Sequence, residues 1–195
     1  KGLEGNTRYT FIKGDIRNGA DIEKAGTGID VIVNFAAETH VDRSILGAED
    51  FITTNVNGVY FLLEYSKQKK IRMVQVSSDE VYGSILLGSF TERSGLNPTS
   101  PYSASKACGD ILALAYFKTF GVDVVITRSS NNFGPYQFPE KFIPLCITNA
   151  LSDISLPVYG EGSNVRDWLY VEDNCAGIML VMEKGSNSEI YNISS

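Results

Sequence analysis

Stretches of two kinds alternate along this chain. Almost continuously apolar runs at residues 30–35 (DVIVNF), 71–77 (IRMVQVS) and 123–128 (DVVITR) each predict a strand buried on both faces. Residues 9–13, closed by Gly14 and Asp15, predict a further short strand, and residues 189–193 a last one. Between the runs, apolar positions recur at helical spacing. They do so over about 48–68, where Phe51, Ile52, Val56, Tyr60 and Leu63 fall, and over 101–120, which Gly121 is placed to end. Shorter helices are predicted near 141–151 and 171–183. Strand alternating with helix predicts an α/β fold, a doubly wound parallel sheet with helices on both faces. Two polar, aromatic loops, 82–100 and 129–139 (SSNNFGPYQFP), follow core strands. Open α/β sheets bind ligands beyond the carboxyl ends of their strands, so these loops mark a candidate site.

Composition narrows the function classes. Of the 195 residues, 43% are hydrophobic and 21% charged, ordinary globular usage that excludes fibrous, low-complexity and disordered classes. The net charge is −6 and no basic block occurs, so nucleic acid is not an expected partner. The longest apolar stretch, around 111–117, is too short to span a bilayer, and no signal peptide opens the sequence, so no membrane partner is expected. Cys108, Cys146 and Cys175 are widely spaced with no CxxC, which points to reduced thiols and a cytoplasmic address. Cys108 reads as a small core residue of its helix. His40 is the only histidine, so neither a metal site nor a histidine-based triad is expected, and its reading is packing or hydrogen bonding near a ligand.

Candidate chemistry lies beyond the strand ends. Tyr102 and Lys106 stand four apart on one helical face. A nearby ammonium would lower the phenol's pKa and suit it to take a proton from a sugar hydroxyl, although this spacing also arises by chance on many helices. Ser77-Ser78-Asp79-Glu80 ends a strand and supplies a hydroxyl with two adjacent carboxylates. Unlike surroundings can keep one carboxyl protonated and the other ionised, while the bland reading is a solvated turn or helix cap. Arg166, beside Asp167 and Trp168, suits a phosphate or else a surface ion pair with Asp167. A nucleotide cradle of the form Gly-x-Gly-x-x-Gly is missing, because Gly26-Thr27-Gly28 precedes its strand.

Taken together, FIKGDIRN, VNFAAETHVDRSI, TNVNGVYFLLE, VSSDEVYG, PTSPYSASKACGDILALAY, ITRSSNNFGPYQFPEKFIP and LPVYGEGSNVRDWLYVED resemble the extended short-chain dehydrogenase/reductase superfamily. Within it they resemble the dTDP-glucose 4,6-dehydratases. The resemblance implies NAD as cofactor and dTDP-glucose as substrate. Tyr102 would be the base, tuned by Lys106, with Ser78 on the same sugar oxygen; Glu80 would remove the C5 proton and Asp79 protonate the departing hydroxyl. Cofactor contacts are implied at Asp15, Ile16, Ala36, Ala37, Thr54, Tyr102, Lys106 and Asn132. Substrate contacts are implied at Thr39, Ser78, Asn131, Lys141, Phe142, Pro157, Val158, Tyr159 and Arg166. No metal is implied. The chain departs from the family pattern at Ser78, where Thr is usual, at Asn174, and at Ser188 and Ser194.

The resemblance also implies that residues 1–135 form a partial NAD-binding Rossmann-like region. Residues 136–195 would form an interleaved, incomplete substrate-binding region of a truncated doubly wound sheet. A homodimer through the helices at 48–68 and 101–120 is implied as well. The chain is expected to be an internal fragment that lacks the glycine-rich first strand-loop-helix. By itself it should be inactive and bind NAD poorly, with residues 9–13 misplaced. A UDP-sugar epimerase or decarboxylase, or a non-catalytic remnant of the fold, are the alternatives left open.

Overall fold

The computed structural model of the chain describes residues 2–3 and 5–195. Its elements follow one another as α1 (Gly19–Ala25), β1 (Val31–Asn34), α2 (Val41–Leu46), α3 (Glu49–Ile52), a π-helical turn (Thr53–Gly58), α4 (Val59–Lys69) and β2 (Arg72–Ser78). A 3₁₀ turn (Asp79–Tyr82) then leads to α5 (Pro101–Phe120), β3 (Val124–Ser129), β4 (Asn131–Phe133), α6 (Phe142–Leu151), β5 (Trp168–Tyr170), α7 (Val171–Lys184) and β6 (Ile190–Ile193). The main sheet is parallel throughout in the order β1-β2-β3-β6, and β4 pairs with β5 in a small second sheet.

Both faces of the main sheet are covered, which is why its central strands are apolar at successive positions rather than alternate ones. Every residue of β3 is buried. On one face Met73, Val124 and Ile126 pack with Leu62, Leu63, Ala113 and Tyr116 of α4 and α5. On the other, Val74 and Val125 pack with Ile178 and Val181 of α7. The segment after residue 136 therefore returns to the main sheet through α7 and β6.

Local chemistry fixes α5 at both ends. Ser100 caps it and exchanges hydrogen bonds with Ser103 in a capping box, Pro101 occupies the first turn, and Gly121 takes the left-handed conformation that ends it. Among its buried positions, Tyr102, Lys106, Gly109, Ala113 and Tyr116 follow at intervals of three and four, with Asp110 beside Gly109 on the same face.

Three expectations are corrected. Residues 9–13 form no strand; Tyr9 and Phe11 are exposed, and a cavity of ≈340 Å³ lined by Ile12, Gly14 and Asp15 and by Val31, Ile32 and Val33 lies along β1. A strand exists only by pairing, and among the described residues nothing pairs with this segment. The helix over 48–68 is interrupted by the π-helical turn, where buried Asn55 hydrogen-bonds both the N–H and the C=O of Glu38 (2.8 and 3.0 Å) and the Ser105 hydroxyl (2.8 Å). Cys108 is exposed, not core: it lies two residues past Lys106, on the face of α5 turned from the sheet.

The turn after β2 depends on Gly83, whose φ of 85° and ψ of −143° suit glycine alone. A Cβ there would lie 2.4 Å from the Asn97 carbonyl oxygen. Gly83→Ala is expected to destabilise the fold by about 2 kcal/mol or more, because conformational strain and a backbone clash coincide. Urea denaturation measures this, and a midpoint equal to that of the unsubstituted protein would contradict it.

Candidate active site

The parallel strands deliver their carboxyl ends to one rim. β2 ends at Ser78, whose hydroxyl accepts from the Glu80 N–H (3.2 Å) and donates to Asp79 Oδ1 (3.3 Å), so the strand turns directly into the Asp79–Tyr82 3₁₀ turn. The cap reading of this segment is therefore what the backbone shows. Beside it, the first turns of α5 present Tyr102, and β3 runs on into Asn131 and Asn132.

Between these elements lies a cleft of ≈470 Å³. It is lined by Thr39, Ser78, Glu80, Tyr102, Asn131, Asn132, Lys141, Phe142 and Tyr159, all singled out from the sequence. An adjoining cleft of ≈620 Å³ shares Glu80 and Asn131 and adds Asp79 and Arg166. Arg166 does not pair with Asp167: its guanidinium donates to the Val165 carbonyl, while Asp167 accepts from Ser195. Lys106 lines neither cleft; it is buried and its Nζ donates to the Val76 carbonyl at 2.6 Å. Asp15 and Ile16 border the cavity beside β1, with Asp15 paired to Arg17 at 2.7 Å. Ala36 and Ala37 lie in the segment after β1, and Thr54 on the π-helical turn. Pro157 and Val158 border neither cleft, and Val158 is 69% exposed.

Several lining residues carry no clear sequence signal. Trp168 stacks against Phe142 with ring centroids 6.3 Å apart. Ser130 and Gln137 sit inside the amide-rich loop without any spacing that marks them. Eight buried side-chain polar atoms lack a hydrogen-bond partner among the described residues. Three of them, on His40, Asn132 and Gln137, belong to residues lining the ≈470 Å³ cleft; Ser77 and Ser130, which also line it, have the Asp110 and Asp167 carboxylates within reach. Unpartnered buried polar groups are costly and rare, so their concentration marks a surface built for a polar ligand. Asn132 illustrates the fit to a cofactor amide: its Nδ2 is used by the Ser130 carbonyl (3.0 Å), while its buried Oδ1 is free to accept a donor. No cluster of potential metal ligands occurs among the described residues.

Burial dominates the electrostatics. It raises the pKa of Asp79, reinforced by the charge of Asp167 and opposed by the Ser78 hydroxyl. It also raises that of Glu80, reinforced by Asp79 and opposed by the cations Arg166 and Lys141. Tyr102 is corrected against expectation. Its phenol is pushed well above its ordinary value, first by burial and then by the Glu80 charge, while the Lys106 ammonium is spent on Val76. Burial lowers Lys106 to about 8, and Asp110 opposes that fall.

Comparison with known proteins gives this geometry its family. The model of the family described as GDP-mannose 4,6 dehydratase matches residues 1–195. The dTDP-glucose 4,6-dehydratase of Streptomyces niveus is 50% identical over 186 residues, covering 95% of this chain and 55% of that protein. The crystal structure of DesIV, a dTDP-glucose 4,6-dehydratase from Streptomyces venezuelae with NAD bound, matches with a TM-score of 0.96 at 52% identity, over 98% of this chain and 60% of that one. The UDP-glucuronic acid 4-epimerase of Bacillus cereus in complex with NAD matches with a TM-score of 0.91 at 32% identity, over 100% of this chain and 62% of that one. The chain belongs to the GDP-mannose 4,6 dehydratase family. It spans a little over half the length of these relatives.

The lowered Lys106 pKa has a signed consequence. Between about 8 and its ordinary 10.5 the unfolded chain holds this proton and the folded chain does not, so this group makes stability rise with pH through that window. Carbon NMR of isotope-labelled lysines is expected to show one side chain titrating near pH 8, absent in Lys106→Met. A Lys106 signal titrating at the ordinary lysine value would contradict the burial described.

Proposed function

We propose that the protein carrying this chain is an NAD-dependent dTDP-glucose 4,6-dehydratase that yields dTDP-4-keto-6-deoxyglucose. The observation that carries the reading is the meeting, at two adjoining clefts that share Glu80, of Tyr102 and Ser78 in the first with Asp79 in the second. An epimerase shares the fold at 32% identity and needs hydride transfer by a Tyr-Lys pair, but it has no use for two carboxylates at this strand end.

NAD, when bound, accepts hydride from the sugar and returns it in the same catalytic cycle. Ala36, Ala37, Thr54 and Asn132, with Asp15 and Ile16 further along β1, are the residues we assign to hold it. Tyr102 takes the proton of the sugar 4-hydroxyl, and Ser78 hydrogen-bonds the same oxygen. Burial and the Glu80 charge raise the pKa of the Tyr102 phenol, so positive charge beside it would favour the phenolate. The 4-keto group then acidifies the C5 proton. Burial raises both carboxyls; Glu80, where Arg166 and Lys141 oppose that rise, is assigned the base, and Asp79, where Asp167 adds to it, the acid. Glu80 thus removes the C5 proton and Asp79 protonates the hydroxyl that leaves C6 as water; hydride taken up at C6 is then matched by a proton returned from Glu80 to C5, which closes the balance at the 4-keto-6-deoxy sugar. Thr39, Asn131, Lys141, Phe142, Tyr159 and Arg166 are assigned to the nucleotide sugar, with Pro157 and Val158 reaching it only if their segment moves inward.

On the same reading, residues 1–135 form the cofactor half and 136–195 contribute to the substrate half. No helix among the described residues is long and apolar enough to cross a membrane. A cytoplasmic address rests on three free, unpaired cysteines. The homodimer is supported by an apolar surface that faces away from the sheet: Ile52, Tyr60 and Phe61 on α3 and α4, with Ile111 and Phe120 on α5, are each at least 36% exposed.

Two measurements test this. In the complete protein, Tyr102→Phe is expected to cut turnover of dTDP-glucose about 10²–10⁴-fold with little change in NAD binding, and turnover near that of the unsubstituted protein would refute the assignment. Sedimentation at micromolar concentration is expected to give a dimer that Ile111→Asp converts to monomer; a monomeric parent protein would refute the interface.

A further inference from the structure

Helix α5 carries a third titratable residue in line with the two already assigned. Tyr102, Lys106 and Asp110 succeed one another at four-residue intervals along the buried face. Asp110 is wholly buried and Arg128, near the end of β3, is 2% exposed; Arg128 Nε donates to Asp110 Oδ2 at 2.9 Å. The guanidinium also lies over the Tyr82 ring, 4.8 Å from its centroid. Tyr82 is the last residue of the turn that begins with Asp79 and Glu80, and its hydroxyl donates to Asn192 Oδ1 at 2.8 Å. One buried guanidinium therefore joins the helix bearing Tyr102 and Lys106 to the turn bearing Asp79 and Glu80.

We propose that Asp110 and Arg128 are positioning residues. Through Tyr82 they hold the Asp79–Glu80 turn at a fixed offset from Tyr102, so that elimination acts on the sugar that has just been oxidised. Asp110 serves in addition as the buried counter-ion of Lys106. The inference rests on the dehydratase reading above. Fold stability alone does not account for the pair, since a buried ion pair can commonly be replaced by apolar residues of similar volume without loss. The charged and titratable groups around it are Lys106 and Tyr102 on α5, Tyr82 on the turn, and Glu92 in the loop that follows. Burial drives Lys106 towards its neutral form and Asp110 opposes it, so removal of the Asp110 charge lowers the Lys106 pKa further.

The test uses the complete protein with NAD and dTDP-glucose in single turnovers, following reduced NAD and the keto-sugar separately. Asp110→Leu combined with Arg128→Met keeps the site filled without charge, and Tyr82→Leu removes the ring while leaving the ion pair. Both are expected to fold with the parent's circular dichroism and to accumulate reduced NAD, with elimination slowed about 10²-fold relative to oxidation by the misplaced turn. Asp110→Asn is expected to move the alkaline limb of the oxidation step to lower pH, whereas Tyr82→Leu leaves that limb in place. A parent-like ratio of elimination to oxidation in Tyr82→Leu, or an unmoved alkaline limb in Asp110→Asn, overturns the proposal. If the double variant does not fold, Tyr82→Leu decides the ratio by itself. A parent protein that makes no keto-sugar overturns the dehydratase reading, and this role with it.

Discussion

The seating of α5 on the parallel sheet is the constraint on which the rest depends. Polar groups buried against a sheet must find partners, and the partners then dictate where the helix sits. Lys106 finds the Val76 carbonyl at 2.6 Å, one strand position before the serines that open the site. Asp110 finds Arg128 on the neighbouring strand. With these two contacts made, Tyr102 at the amino end of the same stripe has no freedom to lie anywhere but at the rim where β2 turns into Asp79 and Glu80.

The site gains from the same burial. It raises the pKa of Asp79, Glu80 and Tyr102 and lowers that of Lys106, so all four are poised away from their ordinary values. The two adjacent carboxyls face different charges: Asp167 for Asp79, and for Glu80 the anion Asp79 together with the cations Arg166 and Lys141. Unlike surroundings are what lets two adjacent carboxyls take different protonation states, which is the basis of the roles proposed for them.

Much of this was legible in the sequence, and the limits were physical. Strands β1, β2 and β3 were readable because burial on both faces leaves continuous apolar runs, and α5 because its cap, its proline and its closing glycine are local chemistry. Residues 9–13 carry a strand-like run yet form no strand, as their expected misplacement implies, because a strand is defined by its neighbour. The π-helical turn is not encoded in the apolar spacing, because what marks it is buried Asn55, whose partners Glu38 and Ser105 lie far off in sequence. The short β4–β5 pairing joins Asn131–Phe133 to Trp168–Tyr170, segments far apart in sequence and each too brief to show a period. At the site, Tyr102 and the Ser-Asp-Glu run stood out by residue type and spacing. Asp110 continues the interval from Tyr102 to Lys106 and could have been found that way. Arg128 looked like the end of an apolar strand, and its partner appears only once β3 is laid beside α5.

The central claim is that one site oxidises a sugar at carbon 4 and reduces it at carbon 6 without releasing what it has taken. Sugar nucleotide carrying deuterium at carbon 4, turned over by the complete protein in ordinary water, tests this most directly. The account predicts a keto-deoxysugar with the deuterium on carbon 6 of the same molecule, as mass spectrometry and NMR of the product would show. Deuterium retained at carbon 4, or lost to the solvent, would contradict it.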